Sequence, residues 1–295
     1  MSIYSQISQN KVKTYLIMGL FVVFVSLFVY VLSQALGYNS GMVIFAFVFA
    51  LISSVGSYYF SDSMVLALSG AKQLENTAGR DVYDIVENIS IAAGLPMPKV
   101  YLINDPAPNA FATGRDPQHA TVCVTSGLLT LLNKSELEGV IAHELSHVKN
   151  FDTRLMMVGA VLVGLVSILG NLFFRTVGFR GSDDNRRAGQ IFLLLGIVFA
   201  LLSPIIATII QLTISRKREF LADASGAYLT RYPEGLASAL EKLSESRRTL
   251  ATADTATAHL FIVNPFAGKS ATSFFANLFS THPPIEERVK ILRAM

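Results

Sequence analysis

Charge is scarce in this sequence. Asp, Glu, Lys and Arg make up 15% of its 295 residues, against 52% apolar, where soluble domains carry about 25% charged residues. That shortage excludes an ordinary soluble domain. The 24 basic and 21 acidic residues leave a net charge of only +3, too little to hold a phosphate backbone, so nucleic acid is not an expected partner. Cysteine is nearly absent: Cys123 stands alone, so no intrachain disulfide and no thiolate metal cluster can form. It reads as a small apolar residue in a strand and fits a reducing compartment. Internal repeats and low-complexity tracts are also missing.

The missing charge is localised. Four stretches, Tyr15–Leu36, Met42–Phe60, Leu155–Phe174 and Ile191–Leu212, contain no Asp, Glu, Lys or Arg. A bilayer needs about 20 helical residues, so each is long enough to span one. Buried core helices are the alternative, and they fit two such stretches better than four. The first stretch is too long for a signal-peptide core and is followed at once by a second, so it reads as a retained anchor. Pro204 in the fourth is tolerable where a neighbouring helix satisfies the freed carbonyl. The chain then divides into a membrane hairpin (1–62), a soluble part (63–154), a second hairpin (155–212) and a second soluble part (213–295).

Flanking basic residues set orientation. Lys11, Lys13, Lys72, Lys149, Arg154, Arg216, Lys217 and Arg218 fall on the N-terminal side, while Arg175, Arg180, Arg186 and Arg187, diluted by Asp183 and Asp184, fall on the other. This balance of eight to four puts the N-terminus and both soluble parts in the cytoplasm.

The soluble parts have globular patterning. Val82, Ile85, Val86 and Ile89 recur at helical spacing over Asp81–Ala93, and Gly94 with Pro96 ends that helix. Lys99–Ile103 and Ala120–Thr125 read as strands. Asn104–Gln118 between them, with three Pro, two Asp and one Gly, reads as a turn-rich connection. Ser135 with Glu138 predicts a capping box opening the next helix, on which Leu137, Ile141, Leu145 and Val148 form a buried stripe.

That helix carries His143-Glu144-Leu145-Ser146-His147. Histidines at i and i+4 project from one face, so both imidazoles can reach one ion. Zinc suits them, because it accepts nitrogen and oxygen donors in a tetrahedron with one position left for water. Glu144 stands beside that position as the group that takes the water's proton. The alternative is a solvated helix face with two titrating histidines.

A catalytic zinc needs a third protein ligand. Arg216, Glu219 and Asp223 lie on a helix after the second hairpin, with Glu219 and Asp223 at i and i+4. One carboxylate can bind metal while the other orients a ligand imidazole; an intrahelical charge network is the competing reading. Two spans separate His147 from Glu219, so both return to the same membrane face. Asp152 is a further candidate for orienting the metal helix, whereas His119 and His259 have no evident partner and read as structural.

With these residues in view, the chain resembles the HtpX family of heat-shock membrane metallopeptidases, related to the CAAX prenyl proteases. The resemblance runs through the four-span layout, Asn109-Ala110-Phe111-Ala112-Thr113-Gly114, His143–His147, Arg216–Asp223 and Thr281-His282-Pro283-Pro284. It implies an α-helical multi-span membrane protein with an α+β zincin-like (gluzincin) catalytic domain. It implies one zinc per chain on His143, His147 and Glu219, Glu144 as general base, and Asp223 and Arg216 behind the ligands. Asn109, Ala110 and Phe111, with strand Ala120–Thr125, are expected at a cleft edge where an extended substrate adds by main-chain hydrogen bonds. His282, at a rigid loop-to-helix junction, is expected near the metal or the oxyanion.

The implied function is a zinc endopeptidase of the bacterial inner membrane, acting in stress response on damaged or misfolded membrane proteins, with oligomeric state left open. A dedicated processing peptidase of the CAAX type and an inert membrane scaffold with a structural metal are the alternatives. The uncharged spans speak against transport, which usually requires intramembrane ionisable groups.

Overall fold

The computed structural model describes residues 3–36, 39, 41–75, 79–179, 196, 216–246, 248–251, 257–265 and 283–295. The uninterrupted apolar sequence at the N-terminus forms two long helices, α1 (Ile3–Leu36) and α2 (Gly41–Leu68). Ala46, Ala50, Ser54, Ser57 and Ser61 form the buried face of α2, and small residues at this spacing let helices approach closely. Ser54 Oγ reaches Met18 O at 3.4 Å. The opposite surface is apolar and uncovered: Val23, Leu27, Ile44, Phe45 and Ile52 are exposed. Only 17% and 22% of the most apolar windows of the two helices are buried. A soluble core helix would bury most of such a window, whereas these two are uncovered and are long and apolar enough to cross a membrane.

Helix α1 begins well before the first expected span. The apolar stretch Ile7–Tyr30 includes Lys11 and Lys13, which therefore lie on the helix rather than ahead of it. The third expected span, 155–174, lies within one continuous helix, α6 (Asp152–Phe179). Its first turns pack on α1 and α2 through Phe21, Val25, Ala50, Val158, Leu162 and Val166. Apart from Gly196, the fourth expected span lies outside the described residues, as does most of the charged loop before it.

The remainder is an α+β unit. Its sheet comprises β1 (Lys72–Gln73), β2 (Lys99–Ile103), β3 (Ala110–Thr113) and β4 (Thr121–Thr125) in the order β1-β2-β4-β3. Strands β2 and β4 run parallel, and the outer two pair antiparallel with them. Interior β4 is buried throughout, and burial drives the Cys123 thiol pKa far above its usual range, as a packing residue requires. Strand β3 arises inside the stretch whose composition reads as turns. Four residues are too few to show an alternation against three prolines.

Around the sheet pack α3 (Arg80–Ala93), α4 (Ser126–Leu131), α5 (Lys134–Lys149), α7 (Arg216–Thr230), α8 (Pro233–Glu245) and α9 (Ile285–Leu292). Helix α5 is central and buried on every side from Gly139 to Val148, well beyond the expected stripe. Two glycines permit this. A Cβ at Gly139 would lie 2.7 Å from the Leu236 amide nitrogen, and one at Gly226 would lie 3.0 Å from that of His143. Helices α8 and α7 thus meet α5 almost backbone to backbone.

The capping box of α5 is Asn133 with Glu136, not Ser135 with Glu138. Asn133 Oδ1 accepts from Glu136 N at 3.0 Å, and Glu136 Oε2 accepts from Asn133 N at 2.9 Å. Glu136 wins because α8 holds its carboxylate from the other side, with Lys242 Nζ and Ser238 Oγ each at 2.7 Å. Ser135 only donates to Asn133 Oδ1.

Candidate metal centre

One turn of α5 turns both imidazoles toward a common point, with His143 Nε2 and His147 Nε2 3.2 Å apart. Each Nδ1 faces a carboxylate. His147 Nδ1 lies 3.0 Å from Asp152 Oδ2. His143 Nδ1 lies 2.9 Å from Asp223 Oδ1 but is poorly aligned for a hydrogen bond. A proton held on each Nδ1 leaves both Nε2 lone pairs converging, an arrangement that repels itself unless a cation sits between them. Glu219 completes the set from α7, its oxygens 3.8 Å from His143 Nε2 and 3.5 Å from His147 Nε2. Tetrahedral zinc with bonds of about 2.05 Å needs donors about 3.3 Å apart. The histidine pair matches that spacing, and with one donor from each residue the three lie within 4.8 Å of one another, a buried metal-capable cluster among the described residues whose donor set suits zinc.

Formal charge agrees. Glu144, Asp152, Glu219 and Asp223 are buried together with Arg218 and Arg288, a concentration of buried carboxylates that favours a cation. Burial would lower the His147 pKa, but the Asp152 hydrogen bond and the charges of Glu219, Asp152 and Glu144 outweigh it and push it up to about 9. A metal entering the site must therefore displace a proton. Burial would likewise raise the Asp223 carboxyl, but Arg288 and His143 hold it down at about 2.

Glu144 points into a cavity of about 10 Å³, room for one water. His143, His147, Thr153, Ala112, Leu260 and Ile262 are among its walls. Desolvation raises the Glu144 pKa, against the opposing charges of the two histidines. Its Oε2 accepts from the Ala112 amide of β3 at 2.8 Å, so the edge strand itself aims this carboxylate.

The expected substrate edge needs correction in two respects. β4 lies inside the sheet, and of these two strands β3 is the one at an edge. That edge is already covered. Ile262 N donates to Ala110 O at 3.0 Å, Asn109 Nδ2 donates to Val263 O at 3.0 Å, and the buried Phe111 ring meets Phe261 edge-on at 5.0 Å.

Arg216 is exposed on α7 and does not stand behind the ligands. The helical register turns its neighbour Arg218 inward, to 3.5 Å from Asp152 Oδ1. Behind Asp223 stands Arg288 of α9, fully buried, with Nε and Nη2 on its two oxygens at 2.8 and 2.7 Å. The competing intrahelical network is thus replaced by an interhelical one. Sequence reasoning missed Arg288, although a signal existed: Ile285, Arg288, Val289 and Leu292 share one face of a short amphipathic helix, and an arginine on an apolar stripe marks a buried acid. His119 bonds its neighbour Asp116 on the surface. His282 lies outside the described residues, as does the side chain of His259.

The sequence profile of peptidase family M48 matches residues 76–295. This chain belongs to peptidase family M48. Its family makes it a zinc-dependent protease, and the uncovered apolar helices make it a membrane protein. It is similar to the Protease HtpX homolog of Caldanaerobacter subterraneus subsp. tengcongensis, 44% identical over 299 residues that span 100% of this chain and 98% of that protein. The namesake from Tropheryma whipplei strain TW08/27 is 45% identical over 298 residues, 99% and 98% of the two chains. That of Pyrococcus furiosus is 46% identical over 277 residues, 93% of each. The crystal structure of S. mikatae Ste24p matches with a TM-score of 0.52 at 17% identity, over 98% of this chain and 66% of that one, a likeness of fold.

Proposed function

We propose that this chain is a multi-span endopeptidase that cuts damaged or misfolded membrane proteins at the cytoplasmic face of a bacterial inner membrane. His143, His147 and Glu219 hold one zinc, and Glu144 is the general base. The observation that carries the reading is the convergence of two Nε2 atoms and one carboxylate beside a water-sized cavity with Glu144 at its wall.

Bound zinc supplies Lewis acidity, lowering the pKa of a coordinated water to about 7. Glu144, whose pKa is raised by burial, would take a proton from a water held there and pass it to the leaving amine. The Ala112 amide keeps Glu144 turned toward the ligands. Asp152 fixes the Nδ1 tautomer of His147 by a hydrogen bond, and the charge of Asp223, 2.9 Å from His143 Nδ1, favours the same tautomer there, so that both histidines present Nε2. An extended substrate adds to β3 through Ala110 and Ala112, which requires residues 260–263 to leave that edge. His282 is reserved for the oxyanion or the resting site.

The gluzincin assignment, the division at 62, 154 and 212, and the cytoplasmic orientation belong to the same proposal. Orientation draws on Lys149, Arg216 and Lys217 more than on Arg154 and Arg218, because the last two are buried. Purified full-length Glu144→Gln tests the reading. It is expected to bind zinc at one per chain and to lose cleavage of an unfolded membrane protein; cleavage at the wild-type rate removes Glu144 as the base.

A further inference from the structure

The first helix is more than an anchor. Asn10 is almost fully buried, 2% exposed, on the membrane helix and outside the region that the family profile matches. Both N–H donors and the carbonyl oxygen of its carboxamide are engaged. Nδ2 donates to Asn150 O at 2.9 Å and to Asp152 Oδ1 at 2.7 Å, and Oδ1 accepts from Arg218 Nη1 at 3.2 Å. These three partners sit on the three pieces that build the centre. Asn150 caps α5, the helix of both histidines; Asp152 opens α6; Arg218 precedes the ligand Glu219 on α7.

The junction that Asn10 closes is a demanding one. Phe151, between α5 and α6, has φ 59, a left-handed conformation unfavourable for a bulky residue. That turn brings Asp152 back to within 3.0 Å of His147 Nδ1. Lys11, the neighbour of Asn10, lies over the Phe151 ring at 4.4 Å. Asp152 has two oxygens: Asn10 and Arg218 take Oδ1, and Oδ2 is left for the imidazole. Without the amide of Asn10, the Asn150 carbonyl loses a donor in a buried place, and Asp152 is free to rotate toward Arg218.

We propose that Asn10 is a positioning residue for the metal centre, acting through Asp152 to hold His147 in its ligand orientation. This rests on the zinc assignment above. It makes the N-terminal helix part of the active site, so that the membrane hairpin and the metal helix form one functional unit.

The test is zinc affinity of the full-length protein in detergent, measured by chelator competition, with melting temperature recorded alongside. Groups behind metal ligands typically change affinity by about 10- to 100-fold. Asp152→Ala is expected in that range, and Asn10→Ala about tenfold or somewhat less, being one step further out. Asn10→Asp keeps the shape and the Arg218 contact but sets a second carboxylate against Asp152; it should weaken zinc at least as much as Asn10→Ala. In an Asp152→Ala background, Asn10→Ala should weaken zinc no further. Phe21→Ala, which loosens the packing of the same helix on α6, should lower the melting temperature and leave zinc affinity within twofold, about the resolution of such a comparison.

Wild-type affinity in Asn10→Ala and Asn10→Asp overturns the proposal. So does an undiminished Asn10→Ala effect in the Asp152→Ala background, or a loss in Phe21→Ala equal to that in Asn10→Ala. A wild-type chain that binds no zinc overturns the metal assignment together with this one, so the two failures are distinguishable.

Discussion

Helices α1 and α5 solve opposite problems. Along α1, apolar side chains such as Leu16, Val23 and Leu27 face outward, and the polar Asn10 and Thr14 are hidden. Along α5, nothing from Gly139 to Val148 faces outward, and the hidden residues include two histidines and a glutamate. Lipid accepts an apolar surface at no cost, so α1 needs only a few satisfied polar contacts at its inner face. A protein interior accepts charge only when it is paired, so α5 draws Asp152, Asp223, Arg218 and Arg288 in from three other helices. The two helices meet at Asn10, where the membrane part contributes its polar face to the charged centre.

The sharpest way to break this contrast is to remove chemistry from α5 while keeping its shape. Glu144→Gln should lower peptidase turnover by about 10²- to 10⁴-fold with zinc content unchanged, read by steady-state cleavage and metal analysis. Next comes the pairing that makes buried charge tolerable. Arg288→Leu strands Asp223 and should destabilise by about 3–5 kcal/mol in thermal unfolding. The double variant Arg288→Leu/Asp223→Leu should recover part of that; an unchanged melting temperature in the single variant would show that Asp223 is not an uncompensated charge. On the other side of the contrast, Ile52→Arg puts charge on the outward face of α2 and should cost about 2.5–3.5 kcal/mol of membrane insertion, seen as a loss of integrated protein, whereas Ile52→Leu should insert normally.

The smallest effect, taken per pH unit, is a pH dependence. With His147 held at about 9 in the metal-free protein, zinc must displace a proton below that pH. Apparent affinity should rise about tenfold per pH unit up to about 9 and then level, measured by chelator competition. The same raised pKa stabilises the metal-free fold fully below the ordinary histidine value of 6.5 and loses that contribution as pH rises through about 9. The zinc-loaded protein should not share this loss, since its His147 carries no exchangeable proton on Nε2.

Much of the centre was legible because it is local. His143 and His147 are one turn apart on a helix, and 3.6 residues per turn places them together wherever that helix goes. Asp152 is close in sequence, and the helix around Asp81–Ala93 follows from its apolar spacing. Asn133 took the cap from Ser135 because the contest between two good capping residues was decided by Lys242 and Ser238 on another helix. Arg218 replaced Arg216 because register on α7 is set by what it packs against. Strand β3 was obscured by the prolines around it and became visible only through its pairing with β4.

The sequence by itself determined which residues are chemically able to hold zinc and which stretches cannot stay in water, since both depend on side-chain type and short-range spacing. Tertiary structure alone decided what stands behind those residues: Arg288 on Asp223, the Ala112 amide on Glu144, Ile262 on the β3 edge and Asn10 on Asp152. Each of these contacts joins residues 32 to 152 positions apart. No periodicity reports such pairs, because a hydrogen bond between distant segments exists only once packing has brought them within 3 Å or so and excluded the water that would otherwise take its place.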